Sequence, residues 1–583
     1  MTPLTRPLQE FGYGQVAVTG ALYRAQLENT HSVLMGLNTD SLMRPFRQMA
    51  DLPAPGEPMG GWYDYKADFN YRIPQKDGLA PGSNFGQWVS ALARYYAMTG
   101  DAATRARVLE WTRAYATTIS PLYYQRHRFP AYSYDKLVCG LVDAHTLAGD
   151  PEAFHILKAT TEAATPNLPG RAIERYWSWR KDKDDSFTWD ESYTLPENVF
   201  RAYQAGAGRR YRAMGEAYLE DWAFFDPLSR GENVMYNRHA YSAVNSLNSA
   251  MQAYLTLGSE KHLRAGENGF RFLQAQSYAT GGWGPDEWLR KPEWDQLDSS
   301  LKSTHQSFET PCGAFAHMKL TRSLLRVTRD GRYGDSMERV LLNTVLGALP
   351  LKSDGGAFYY ADYNQQGTRA YSSHTWPCCS GTLPQVATDY GISAYFHEPA
   401  SHGTSAVWVN LYMPSTLRWR QGGAQMEMAQ SGTYPLGDAV ELRLKASRPE
   451  RFALKLRIPA WCEAATLRVN GSKQPVETTP GFAAVEREWR DGDVVELELP
   501  SRPRLEAIDR DHPNTAALMQ GPLVLFALRA PSVAQAAITR QQALAARKIS
   551  DGEWAIETER GAVKLMPFTE LGDAPYATYL TLS

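Results

Sequence analysis

The chain holds 583 residues, 43% of them hydrophobic and 12% aromatic, so it can bury a sizeable core and is too long for one small domain. Its 61 Lys and Arg against 63 Asp and Glu leave a formal net charge of −2, which excludes a global attraction to nucleic acid or anionic membrane. Five cysteines are too few for a disulfide scaffold, and the lack of an apolar run of about eighteen residues, or of a basic-then-apolar N-terminal stretch, predicts a soluble protein, cytoplasmic, or periplasmic if a leader has been removed.

Within an expected domain over residues 1–395, an apolar helical stretch repeatedly meets a Gly-containing stop and a new helix begins through the first 330 residues. The copies are Ala91 to Asp101, Gly140 to Asp150, Ala250 to Ser259 and Leu324 to Gly331, with a weaker one at Gly206 to Gly208. Gly after the last apolar residue suits a left-handed helix stop, and Asp or Ser next suits an N-cap. A spacing of roughly fifty residues indicates an array of helical hairpins. Five or six hairpins in this length predict closure into an (α/α)6 toroid. Within it, Trp62, Tyr63, Asp64 and Tyr65 form an aromatic cluster that serves either as core packing or as a wall of a sugar site. The run Arg180 to Asp185 carries mixed charge and reads as solvated surface, and Cys139 as an inert buried thiol.

From residue 396 to 530 the apolar period changes to two, at Val407 to Tyr412, Val440 to Leu444, Phe452 to Ile458, Leu467 to Val469 and Val494 to Leu499. Turn residues Asn470-Gly471 and Asp491-Gly492 bound these runs, which predicts an antiparallel β-sandwich, with Cys462 inert inside it. Residues 531–583 read as a mixed segment packing on the sandwich or toroid, with a helix over Ser532 to Lys548.

Glu309-Thr310-Pro311-Cys312, followed 66 residues later by Cys378-Cys379, carries the strongest chemical signal. One carboxylate and three thiolates make a complete tetrahedral set for Zn²⁺. Ordinary buried thiols and a purely structural zinc site fit the same residues. If one paired thiolate is also a nucleophile, attack on an anomeric carbon gives a covalent thioglycosyl intermediate. A carboxyl group must then protonate the departing oxygen and deprotonate water. Thr280-Gly281-Gly282-Trp283-Gly284-Pro285-Asp286-Glu287 supplies one, with Glu287 preferred and Asp286 or Glu293 as alternatives. His239 precedes an apolar helix and acts there as a cap or a ligand contact. Glu197 lies at a helix entry and is a pocket candidate; Tyr359, Tyr360 and Tyr363 stand between the two half-sites as possible hydroxyl donors.

Gly281-Gly282-x-Gly with Glu287, Glu309…Cys312 continuing through His317-Met318-Lys319-Leu320, Glu338 to Asn343, and Cys378-Cys379 together resemble glycoside hydrolase family 127. Glu197-Asn198-Val199, Asn237 to Ala240, Gly60-Gly61-Trp62 and Leu456 to Trp461 extend the resemblance over roughly residues 10 to 530. It implies an (α/α)6 catalytic domain with β-sandwich accessories, and retaining hydrolysis of β-L-arabinofuranosides. It further implies Cys378 as nucleophile, Glu309, Cys312, Cys378 and Cys379 as zinc ligands, Glu287 as acid/base, and a sugar contact from His239. Two residues separate Glu309 from Cys312 where the family pattern has one, and Asp135 stands where a sugar-contacting His is expected. That second departure argues for a different sugar or linkage.

The expected protein is thus an exo-acting retaining glycosidase releasing a terminal pentofuranose, with Zn²⁺ as cofactor, a glycoside or oligosaccharide as partner, and a monomeric or homodimeric state. The substrate-binding set is His239, Asp135, Glu197, Trp62 and Tyr360. The competing readings are a glycosidase or polysaccharide lyase on the same toroid with a structural zinc, and a non-catalytic carbohydrate-binding protein.

Overall fold

The computed structural model describes residues 6–70, 76–173, 190–291, 296–400, 404–478, 481–529 and 538–583. The mixed-charge run at 180–185 and Glu293 lie outside these. Six helices face inward around a ring: Phe85–Thr99, Pro130–Thr146, Leu195–Gln204, Ala240–Leu257, Thr310–Thr328 and Cys379–Ala394, each packing on the next and the last on the first. Behind the first five stand their hairpin partners, Ala102–Ala116, Ala153–Ala164, Arg209–Ala217, Glu260–Gln274 and Gly331–Asn343. The sixth outer helix, Ala21–Met35, comes from the far end of the chain and packs on Cys379–Ala394, closing the toroid. Among the described residues no helix is long and apolar enough to cross a membrane.

The hairpin stops follow from local chemistry. Gly100 and Gly258 end their helices at φ 71° and 70°, a region closed to most side chains. The carboxylate of Asp101 then accepts the backbone N–H of Thr104 at 2.8 Å to start the next helix. At the fourth stop the structure differs from the expectation: Arg329 takes the left-handed position (φ 63°) and Asp330 the cap, so Gly331 is already helical.

Buried ion pairs cross the lumen of the ring. Arg94 reaches Asp143 and Asp389, each at 3.0 Å, Arg201 adds a second cation to Asp143, and Arg322 a second to Asp389. Burial pushes the Asp143 carboxyl up, but Arg201 and Arg94 outweigh it and hold its pKa below the ordinary value. Asp143→Ala therefore takes the carboxylate from Arg201 and one of two from Arg94, which keeps Asp389, and is expected to lower unfolding free energy by about 3 kcal/mol at pH 7. A depressed carboxyl pKa stabilises the fold above the unfolded value and loses that effect as pH falls through the folded one. The gap between native and variant should accordingly narrow below about pH 4, as measured by urea titration.

The chain returns from the ring as paired β-sheets. One runs Gln9–Glu10, Tyr395–Glu398, Ala406–Val409, Glu450–Arg457, Phe482–Trp489 in spatial order. The other runs Ser472–Gln474, Thr466–Val469, Val494–Glu498, Ala439–Ala446, Ala424–Gly432, Ser415–Gln421, Val16–Val18. Alternation is visible in Ser415–Gln421, where Ser415, Leu417, Trp419 and Gln421 turn inward. Residues 9–18 thus belong to the sandwich before the first helix begins. Among the described residues of the C-terminal segment the helix is confined to Arg540–Leu544. Beyond it, Arg547–Ser550, Glu553–Thr558 and Gly561–Met566 extend the sheet begun by Pro503–Ala507, Thr515–Gln520 and Leu523–Leu528.

Candidate active site

The inner helices run parallel, and residues at or just before their N-termini meet at one end of the ring. Asn84, Phe129, Glu191, His239, Glu309 and Cys378, one from each inner helix entry, line a chamber of about 50 Å³. Helix N-termini carry partial positive charge, so six of them favour the thiolates and carboxylates gathered there. The chamber opens past Trp62, Tyr359 and Glu287 into a vestibule of about 360 Å³.

Two of these helix starts carry the three clustered thiols. Glu309 caps Thr310–Thr328, Thr310 and Pro311 take its first two positions, and Cys312 follows in the first turn. Proline there lacks only an N–H that would have no partner anyway. Cys378 caps Cys379–Ala394, and Asn84 holds that entry by donating its amide to Pro377 O at 2.9 Å and Ser380 Oγ at 2.7 Å. As a result Cys378 Sγ lies 3.2 Å from Glu309 Oε1, and Cys379 Sγ 3.5 Å from Cys312 Sγ. One donor atom from each of Glu309, Cys312, Cys378 and Cys379 falls within 4.8 Å of all the others.

The groups of this cluster differ in how readily they ionise. Burial, then the neighbouring Cys378 and Glu287, push the Glu309 carboxyl well up; burial likewise raises the thiols of Cys312 and Cys379. Burial opposes ionisation of Cys378 too, but side-chain hydrogen bonding with Cys312, Cys379 and Tyr359 prevails and holds it well below the usual thiol range. Glu309 Oε2 is buried with no hydrogen-bond partner. An orphaned oxygen beside three sulfurs is a donor set that a soft divalent cation satisfies. Of the three thiols only Cys378 is partly exposed, and it is the one that lines the chamber.

The Gly-rich turn delivers the carboxyl group opposite. Gly284 has φ 71°, and a Cβ there would sit 2.3 Å from that of Ala240, so only glycine fits against the neighbouring helix start. Asp286 and Glu287 follow at φ 54° and 64°, unusual for side-chain-bearing residues and characteristic of functional sites. The two acids then part. Asp286 is engaged by Thr304 Oγ1 and Arg290 at the rim, whereas Glu287 enters the chamber. Its Oε1 accepts the hydroxyls of Tyr359 at 3.0 Å and Tyr360 at 2.5 Å, and its Oε2 lies 3.2 Å from His239 Nε2. Tyr359 OH also lies 3.4 Å from Cys378 Sγ, so one hydroxyl spans carboxylate and thiol.

Short backbone pairings fix these groups. Glu309 pairs with Tyr360 in a two-residue ladder, and Thr310 N–H donates to Tyr359 O at 2.7 Å. His239 pairs across to Trp288, next to Glu287. His239 Nδ1 also faces Ser242 Oγ at 2.8 Å and Glu191 at 3.2 Å.

The structure thus gathers Cys312, Cys378, Cys379, Glu309, Glu287, His239, Trp62 and Tyr360 at one end of the ring. Asp135 and Glu197 lie elsewhere, lining a lumen cavity of about 340 Å³ beneath the chamber. The reason is helical pitch: Tyr132 faces the chamber, and Asp135 lies about one turn further along the same helix. There Asp135 pairs with Lys136 at 3.0 Å and accepts from Asn198, while Glu197 pairs with Lys319. Tyr363 is fully buried away from the chamber. Sequence reasoning missed Glu191, at the end of a mixed-charge run, and Tyr132, whose only signal is its place at a helix start.

Residues 15–391 match the family model described as the β-L-arabinofuranosidase GH127 catalytic domain, and residues 406–501 that of the GH127 middle domain. Among solved structures the chain is similar to a GH127 β-L-arabinofuranosidase from Geobacillus stearothermophilus T6, at 16% identity and TM-score 0.71, over 97% of this chain and 100% of that one. It is also similar to a GH127 β-arabinofuranosidase, at 16% identity and TM-score 0.76, over 99% and 98% of the two chains. At such identity the likeness is one of fold. No curated protein matches the chain.

Proposed function

Because the chain belongs to glycoside hydrolase family 127, we propose that it is an exo-acting retaining hydrolase of terminal pentofuranosides of the β-L-arabinofuranose class, with Cys378 as nucleophile and Glu287 as acid/base. The observation that carries this reading is the chamber itself: the one partly exposed thiol of the cluster shares it with Glu287, and Tyr359 links the two. Glu309, Cys312, Cys378 and Cys379 would hold zinc, whose charge keeps Cys378 deprotonated at neutral pH.

In the first step Cys378 Sγ forms a bond to the anomeric carbon while the bond to the departing oxygen breaks, and Glu287 gives that oxygen its proton. In the second, Glu287 takes a proton from water, the water oxygen bonds to the anomeric carbon, and Sγ leaves. Two displacements retain the anomeric configuration. The hydroxyls of Tyr359 and Tyr360 orient Glu287 from one side and His239 from the other. The small chamber suits the reacting end of a terminal sugar at Cys378 and Glu287, and the wider vestibule the groups beyond it.

Elemental analysis together with assay on p-nitrophenyl β-L-arabinofuranoside tests the reading. The expected result is about one zinc per chain, with Cys312→Ser losing both metal and turnover. Full hydrolysis by metal-free protein would contradict it.

A further inference from the structure

Among the described residues the vestibule holds two carboxyl groups, Glu287 and Asp362, and both are already engaged. Glu287 faces Tyr359, Tyr360 and His239. Asp362 is buried: one oxygen accepts the backbone N–H of Asn364 at 2.9 Å, and the other accepts that of Thr368 at 3.0 Å and lies 2.8 Å from His305 Nδ1. The imidazole of His305 is thereby fixed on the vestibule wall with 63% of its side chain exposed. His374, whose ring centroid lies 5.7 Å from that of Trp62, lines the same space. So does Lys76, which is half-buried, and among the described residues its ammonium has neither a carboxylate partner nor a hydrogen-bond acceptor. Its segment is tied to the chamber rim, where Gly78 N–H donates to Gly61 O at 2.8 Å and Ala80 N–H to Trp62 O at 3.0 Å.

A half-buried ammonium gives up hydration and recovers it only where an anion meets it. With both acids engaged, the vestibule offers none, so the anion comes with the ligand. The vestibule opens outward from Glu287, the group that faces the departing oxygen, so its occupant is the leaving group. The rings of Trp62, Tyr360 and Tyr371 on its walls are surfaces for a sugar ring. We infer that this leaving group is an acidic sugar, a uronic acid whose carboxylate pairs with Lys76. One ammonium matches the single charge of a carboxylate, and His305 Nε2, with no partner among the described residues, is left for a neighbouring hydroxyl. The inference rests on the glycosidase reading above and adds the class of leaving group, which that reading leaves open.

The test uses the full-length, zinc-loaded enzyme and pairs of disaccharides in which β-L-arabinofuranose is linked to O2, O3 or O4 of a methyl galacturonoside, each pair differing only in whether the acid is a carboxylate or a carboxamide. In the best pair kcat/KM should favour the carboxylate by roughly fivefold to fiftyfold at low salt, as a charge-assisted contact at a half-exposed site allows. The ratio should shrink as ionic strength rises. Lys76→Met, which keeps the length of the side chain and removes its charge, should bring the ratio to about one. Equal or faster hydrolysis of the carboxamide in every pair, or a carboxylate preference that survives Lys76→Met, overturns the inference and leaves the glycosidase reading standing. So does hydrolysis of p-nitrophenyl β-L-arabinofuranoside with none of the disaccharides. Hydrolysis of none of these substrates overturns the reading itself, and the inference with it.

Discussion

Cys378→Ser is expected to cut kcat on β-L-arabinofuranosides on the order of ten-thousand-fold or more, while Cys139→Ser changes it by less than about twofold. Serine keeps the size and the cap position but replaces a polarisable anion with a neutral hydroxyl. Nothing in the chamber is placed to ionise that hydroxyl, since Glu309 and Tyr359 are themselves pushed toward their protonated forms by burial and the charges around them. Cys139 is the matched control, a buried thiol in the lumen with Ser90 Oγ 3.7 Å away and no share in the chamber. Comparable turnover in the two variants would reject sulfur as the nucleophile and leave the cluster a structural role.

Glu287→Gln should lower kcat by about a hundredfold to ten-thousandfold on substrates with a poor leaving group. The loss should be much smaller for the step that expels p-nitrophenolate, which departs with little help. The amide keeps a hydrogen-bonding oxygen for Tyr359 and Tyr360, so the pocket is preserved and proton transfer is lost. With an activated substrate the second step, which needs a base, becomes limiting. Asp286→Asn should leave this pattern unaltered, because Asp286 is tied to Thr304 and Arg290 outside the chamber. A larger loss in the Asp286 variant would reassign the acid.

How much of this was legible in the chain depends on whether the signal was local. Gly100 and Gly258 with Asp101 declare helix stops through their own conformational preferences, so the hairpin array could be read directly. Closure of the ring could not, because it depends on Ala21–Met35 meeting Cys379–Ala394 across the length of the sequence. The same holds for Val16–Val18, which join a sheet whose next strand is Ser415–Gln421. In the site, unusual residue types in a short pattern, Glu309 with Cys312 and the paired cysteines, were visible. Asp135 and Glu197 were plausible as types, but their depth along the inner helices, about one turn below the chamber, is a matter of packing that no spacing reveals. Tyr132, Leu79, Ala80 and Phe129 are common residues in common places, and only their convergence makes them part of a pocket.

The covalent step is the centre of the account, and it can be caught in the Glu287→Gln variant. Mass spectrometry of that protein, quenched during turnover of a p-nitrophenyl furanoside and digested with a protease, should show one glycosyl residue added to the peptide that holds Cys378 and Cys379, with fragmentation placing it on Cys378. A label on the Glu309 peptide, or inversion of the product's anomeric configuration with no label at all, would contradict it.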